Sequence, residues 1–328
     1  MGCDLNRTED QRQILDAAGT MLAAQYPVSR LRARRADDLT DIAGFGGFAL
    51  ALAEERGGAG FTVVEEALLH VHFGRHLVGA GALATPLAVR LAAETGDTDL
   101  AEGMAQGETL VAAGLVSGDD LLLPDAGAAN HALVFVEGVP ALVDVAGLAT
   151  ETAAALGHDG MIRRAGAGWR DRITAKGGQD LARIAALLGA AQLLGMAEAT
   201  RDLSVDYAQD RRQFGKPIGS FQAIKHRAAD MALRAEMLSA QLDMAAIALR
   251  DGSAEAGFQI AALARLAPRT ALANARAAVQ IHGGMGFSEE TDAQWYVKRA
   301  HLVGRLLPTL DILSAPAPLA PFPKGDLA

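Results

Sequence analysis

The spacing of apolar residues along this chain changes period twice. Residues 11–24 and 63–73 carry apolar positions three and four apart and predict helices, with Thr8 placed to cap the first and Pro27 to stop it. Between them lie Gly44-Phe45-Gly46-Gly47-Phe48 and Arg56-Gly57-Gly58-Ala59-Gly60. Neither follows a strand signal and opens a helix, so both read as connections that need positive φ rather than dinucleotide loops. From about Leu110 to Lys176 the runs shorten to Leu121-Leu122-Leu123-Pro124, Ala132-Leu133-Val134-Phe135-Val136 and Ala141-Leu142-Val143, bounded by Gly, Pro, Asp and Asn. These predict strands. Stretches such as Ala165-Gly166-Ala167-Gly168 carry no strand signal.

From Gln179 the helical period returns. Leu181, Ile184, Leu188, Ala191 and Leu194 define one stripe, and Asp202, Asp206 and Asp210 a polar one further along. This predicts a first long helix ending near Arg212, ahead of Gly215 and Pro217. A second is capped by Ser220 and runs to Arg250, where Gly252 closes it in a left-handed conformation. A third, capped by Ser253, reaches Gln280 and is kinked or split at Pro268. A fourth runs from about Asp292 to Leu307 and stops at Pro308. Four long helices with short connections argue for a four-helix bundle. The chain therefore divides into an N-terminal helical domain (1–109), a small, reduced β domain (110–176), a C-terminal four-helix bundle (177–313) and a mobile Pro-rich tail (314–328), mainly α overall.

Composition narrows the function. The 328 residues are 50% hydrophobic but only 5% aromatic, and the formal charge is -9, which argues against a nucleic-acid partner. Cys3 is the only cysteine, so a disulfide or cysteine-rich metal site within one chain is excluded and a reducing, cytoplasmic setting fits. The start of the chain does not read as a signal peptide. The longest uncharged apolar run, from Ile184 to Ala197, is too short for a membrane span and reads as a buried helix. His70, His72 and His76 have no carboxylate at ligand spacing, so no metal site is expected there.

Two segments carry candidate chemistry. The first runs from Asp210 through Arg211-Arg212-Gln213-Phe214-Gly215-Lys216-Pro217 to Phe221-Gln222. Residues 201–234 hold seven Lys or Arg against four Asp, a local +3 in an acidic chain. A guanidinium fork beside an exposed aromatic suits phosphate and a stacked base, while basic residues at a helix C-terminus also merely compensate its dipole. Both readings stay open on these residues. The second segment, Gln280-Ile281-His282-Gly283-Gly284-Met285-Gly286, lets backbone approach a ligand closely or serves only as a cap and turn.

Together the two segments resemble the signatures of the acyl-CoA dehydrogenase family, Arg211-x-Gln213-Phe214-Gly215-x-Pro217 with Phe221-Gln222 as the first and Gln280-x-x-Gly283-Gly284-x-Gly286 as the second. The likeness is dense from Gln179 to Leu307, moderate in the N-terminal helices and poor across 110–176. It implies the acyl-CoA dehydrogenase-like fold, oxidation of an acyl-CoA thioester to enoyl-CoA, and FAD bound across a subunit interface. Carried over by position, Arg211 holds the pyrophosphate, Phe214, Phe221 and Gln222 line the nucleotide half of the flavin, and Gln280, Gly283 and Gly284 approach its adenosine end.

The departures are informative. Family members take the substrate α-proton with a glutamate on the first bundle helix or in the loop after the fourth. By gapless register these positions are Ala185 and Leu307, and neither is a base. The Thr-Glu-Pro-x-x-Gly-Ser-Asp stretch that cradles the flavin ring is missing, Val116-Ser117-Gly118-Asp119-Asp120 being its nearest remnant. The segment from Gly286 to Ala300 is similar to short subunits of heteromeric bacterial dehydrogenases that act on bulky acyl-CoAs, steroid side chains included. The resemblance thus implies a partner subunit without a base of its own, with an electron-transferring flavoprotein as acceptor. Two other readings are a homodimeric dehydrogenase with a displaced base, such as Asp180 or Glu198, and a helical interaction protein that binds no flavin.

Overall fold

The computed structural model describes residues 7–33, 35–153 and 162–308, so the tail at 314–328 lies outside the described residues. The N-terminal third forms helices α1 (Glu9–Gln25), α2 (Thr40–Gly44), α3 (Val63–Arg75), α4 (Gly81–Thr95) and α5 (Thr98–Ala105). Thr8 caps α1 through a capping box with Gln11, and Thr62 with Glu65 repeats the device on α3. The glycine-rich link between them uses Gly46, Gly57 and Gly60 at positive φ, as the connection reading requires.

The middle region is fuller than its sequence suggests. It contains β1 (Val111–Ala113), β2 (Leu115–Ser117), β3 (Asp120–Pro124), β4 (His131–Val136), β5 (Val139–Asp144), β6 (Glu151–Thr152), β7 (Ile162–Ala165) and β8 (Ile173–Lys176). These form two four-stranded sheets, β1-β4-β5-β8 and β2-β3-β7-β6. The β7 strand ends at Ala165, the first residue of the stretch that carried no strand signal, and Trp169 then fills the core between the sheets, fully buried.

The C-terminal region is a bundle of α6 (Gln179–Asp210), α7 (Gln222–Arg250), α8 (Ala256–His282) and α9 (Ala293–Leu306). Helix α6 is apolar on nearly every side between Leu181 and Ala197 because it lies at the centre, touching α3, α4, α7, α8 and α9. It is long and apolar enough to cross a membrane, but 83% of its most apolar window is buried inside the protein, which makes it a core helix. Helices α3 and α6 pack backbone to backbone. A Cβ on Gly74 would overlap the Gln192 carbonyl, and one on Gly195 the Val71 carbonyl.

Several boundary expectations are corrected. Helix α6 stops at Asp210 rather than near Arg212, because residues 212–217 form a hairpin. Ser220 does not cap α7: its hydroxyl donates to the Pro217 carbonyl within a 3-10 turn, and Phe221 precedes the helix without a side-chain cap. Ser253 caps only a turn, accepting from the Glu255 amide, and α8 starts at Ala256. Pro268 does not split α8, which is one continuous helix; its ring packs against Gly304 of α9, so tertiary contact compensates for the missing amide. Gly252 adopts φ 60° after α7, as expected.

Candidate functional site at the end of the bundle

The chain leaves α6 through Arg211 and enters a two-stranded hairpin, β9 (Arg212–Gln213) and β10 (Lys216–Pro217), with Gln213 opposite Lys216. Two residues remain for the loop, and both take positive φ: Phe214 at 52° and Gly215 at 80°. Such a turn matches the twist of a hairpin but favours Asn-Gly, and a phenylalanine held left-handed costs about 1–2 kcal/mol. The ring recovers little of this by burial, since Phe214 is 91% exposed and meets only the edge of Phe221, at 6.1 Å. Lys216 in turn lies 4.4 Å over the Phe221 ring. A strained, exposed aromatic of this kind marks a position kept for contact with something else.

The second segment folds against this hairpin. Helix α8 ends at His282, whose Nδ1 lies 2.8 Å from the Ala278 carbonyl and whose ring stacks on Tyr207 at 4.2 Å. Its glycines divide by role. Gly283 takes φ 62° and ψ -137°, a region closed to other residues, and a Cβ on Gly286 would overlap the Val279 carbonyl. Gly284 answers no such demand: nothing lies within 4 Å of where its Cβ would be.

A cleft of about 620 Å³ brings the two segments together, with Arg211, Phe214, Phe221, Gly283 and Gly284 on its walls. Among the described residues no carboxylate pairs with the Arg211 guanidinium, and α6 has no basic residue in its last turn. Arg211 follows α6 directly as its C-cap, so dipole compensation stays open beside a ligand role. Gln213, part of the first signature, and His282, within the second segment, also line the cleft; so does Tyr207, which was not singled out from sequence, although it sits one turn before Arg211 and that spacing was the available signal. Gln280 instead lines neighbouring clefts on the other flank of α8, and Gln222 lines none of these openings.

The two positions where a base was sought converge in space. Ala185 is 2% exposed and lines a cavity of about 10 Å³ with Leu83, Leu87, Leu133, Phe135 and Leu306. Leu307 lies over Gly189, one turn along α6 from Ala185, so closely that a Cβ there would overlap it. No titratable residue lines this cavity, and its volume suffices for at most one water. Asp180 is an exposed partner of Arg183, and Glu198 is held by Arg75 at 2.9 Å, beside Asp202 at 2.7 Å. Neither lines the cavity.

Nearby, Val116-Ser117-Gly118-Asp119-Asp120 forms the tight β2–β3 turn. Trp169 Nε1 donates to the Asp119 carbonyl and Arg170 to that of Gly118, so the turn is tied to its own domain. An open cleft of about 1010 Å³ lies between β2, α8 and α9, with Phe287, 78% exposed, on its rim. Among the described residues no cluster of His, Cys, Asp or Glu has metal-site geometry.

Comparison with known proteins agrees with this architecture. The family model described as acyl-CoA dehydrogenase, C-terminal domain, matches residues 179–305. The acyl-CoA dehydrogenase IpdE2 of Mycolicibacterium smegmatis is 35% identical over 264 residues, which cover 80% of each chain. The chain belongs to the acyl-CoA dehydrogenase family. Among solved structures, it is similar to the Tcur3481-Tcur3483 steroid ACAD G363A variant (TM-score 0.77, 24% identity, 92% of this chain and 94% of that one). The ChsE4-ChsE5 complex from Mycobacterium tuberculosis gives a TM-score of 0.75 at 22% identity over 93% and 94% of the two chains. PigA with FAD and proline gives 0.79 at 18% over 94% and 97%. At these identities the structural likeness speaks for the fold.

Proposed function

We propose that this chain is the short, non-catalytic subunit of a heteromeric, cytoplasmic acyl-CoA dehydrogenase, and that it supplies one wall of an FAD site completed by a larger partner. The observation that carries this reading is a mismatch within the chain: the cofactor-facing end is open and unpaired, while the place for a base is sealed and apolar. Among the described residues the Arg211 guanidinium has no partner, Phe214 is held outward at the expense of backbone strain, and Gly284 is bare without a local reason. These residues fit an aromatic group joined to a diphosphate. FAD supplies the hydride acceptor for α,β-dehydrogenation of an acyl-CoA thioester.

The roles of this chain's residues follow. Arg211 clamps the diphosphate, Phe214 and Phe221 pack against the nucleotide half, and Gly283 and Gly284 let backbone approach without a side chain between. Gln222 and Gln280 reach the same group from the flanks of the cleft, across the interface. With Ala185 on the wall of the apolar cavity and Leu307 packed over Gly189, neither position offers a group to take a proton from the substrate, and a carboxylate of the partner does so. The β2–β3 turn, tied to Trp169, leaves the flavin ring to the partner as well. The ChsE4-ChsE5 complex supports the two-chain arrangement, and the steroid ACAD of similar fold supports a bulky acyl-CoA as substrate. An electron-transferring flavoprotein fits as acceptor.

The test compares adjacent arginines. In the co-purified complex, Arg211→Ala lowers FAD retention by at least about tenfold, the loss of one charge-assisted contact of about 1.5–3 kcal/mol. Arg212→Ala, outside the cleft, leaves it within about twofold. Equal effects would show that the cleft does not face the flavin.

A further inference from the structure

A second opening at the same end of the bundle has a different chemistry. The groove between the N-terminal half of α7 and the C-terminal half of α8 has a volume of about 550 Å³. Arg227 and Arg234 stand on the α7 wall and Arg276 on the α8 wall, with His226 and Gln280 between them. Asp230 is the one carboxylate among the lining residues. Arginines elsewhere on this protein are commonly paired: Arg30 with Asp37, Arg75 with Glu198 and Asp202, Arg90 with Glu66, and Arg299 with Asp125. The three in the groove have no ion pair or hydrogen bond among the described residues, not even with Asp230.

Three unpaired guanidiniums lining one groove repel one another, and among the lining residues only Asp230 offsets that repulsion in part. Helix α7 adds to the positive field. The groove begins at its first turn, where no acidic residue and no side-chain cap meets the free amides. We propose that this groove is a binding site for a phosphate-bearing ligand of at least two negative charges, a diphosphate or a phosphorylated nucleoside, separate from the cleft around Arg211. Three forks against one carboxylate leave two positive charges to neutralise, which matches a diphosphate or a pair of phosphate monoesters better than a single carboxylate. Forks on opposite walls can grip different oxygens of one ligand. Gln280 is the single groove residue also assigned a role toward the flavin.

The site is tested by titrating the isolated chain with inorganic pyrophosphate and with adenosine 3′,5′-bisphosphate in a calorimeter at low salt. An Arg211→Gln background removes the flavin-facing arginine, so that the groove is read whether or not flavin binds. The expected result is one site per chain, weakened by added salt. Arg227→Gln and Arg276→Gln each weaken it by about tenfold or more, the loss of a charge-assisted contact. Arg265→Gln, on an exposed part of α8 outside the groove, does not change it. Tighter binding of the nucleotide identifies a nucleoside phosphate as the ligand class, and equal binding identifies the diphosphate group alone. No binding of either probe, or binding unchanged in the Arg227→Gln,Arg276→Gln double variant, overturns the proposal.

Discussion

Phe214 shows most clearly how a single residue divides stability from function. Its left-handed backbone opposes folding, and its ring, almost wholly exposed, contributes little packing. Phe214→Asn places Asn-Gly in the turn that prefers it and relieves about 1 kcal/mol of strain. Thermal unfolding of this variant is expected at an equal or higher temperature than the parent, while FAD retention in the complex falls. A variant that loses stability and keeps flavin would reverse the assignment. The two segments that meet in this cleft were marked in sequence because an arginine beside an aromatic and clustered glycines stand out in an acidic, aromatic-poor chain. The division of labour among the glycines was not, since Gly283, Gly284 and Gly286 read alike until backbone angles and neighbours separate them. The side placements of Gln222 and Gln280 also depend on tertiary packing that spacing does not show.

At the scale of elements, the α3–α6 contact is the joint on which the N-terminal helices are hung. A methyl at Gly195 meets the Val71 carbonyl, a backbone atom that cannot step aside, so Gly195→Ala is expected to cost about 1–3 kcal/mol in urea unfolding. Gly284→Ala, with open space at its Cβ, leaves stability within about 0.5 kcal/mol and serves as the contrast. Two histidines of α3, His70 at this joint and His72 against α1, make the fold sensitive to acid. Burial, and secondarily the Arg90 guanidinium, pushes His70 down to about 3, where its Nδ1 sits 3.3 Å from Gln192 Nε2. Burial, with Arg75 second, pushes His72 down to about 4. Above the ordinary histidine value near 6.5 both are neutral folded or unfolded, and this stability is intact. As pH falls from about 6.5 toward 4, the unfolded chain takes up protons that the native one refuses. Stability then drops by up to about 1.4 kcal/mol per pH unit for each histidine. Unfolding free energies measured at pH 7.5, 6 and 5 should show this fall, and His72→Gln should make it shallower. A flat profile would mean that these rings are hydrated.

Helix periodicity in sequence located α1, α3 and the four bundle helices well. It passed over α4, buried from Gly81 to Ala92 with Pro86 inside, because a helix covered on every side has no polar face to mark its period. Short strands such as β6 and β7 fell below the length at which alternation can be recognised.

For the whole molecule, the bundle and its motifs were readable because long amphipathic helices and a family signature reinforce each other. The middle region was readable only in part: the apolar runs of β3, β4 and β5 were marked, but the pairing into two small sheets, held over long range and by Trp169, leaves no local pattern. The complete picture is a family fold with an open cleft around Arg211 at one end of the bundle and a small apolar cavity beside Ala185. On the function proposed above, such a chain binds flavin only together with its partner. The direct measurement is the FAD-to-protein ratio of the purified chain, alone and co-expressed with the product of an adjacent dehydrogenase gene, followed by bleaching with acyl-CoA. The account predicts a colourless chain alone and a yellow complex that acyl-CoA bleaches. A chain that alone carries one FAD per subunit and is bleached by acyl-CoA would contradict it.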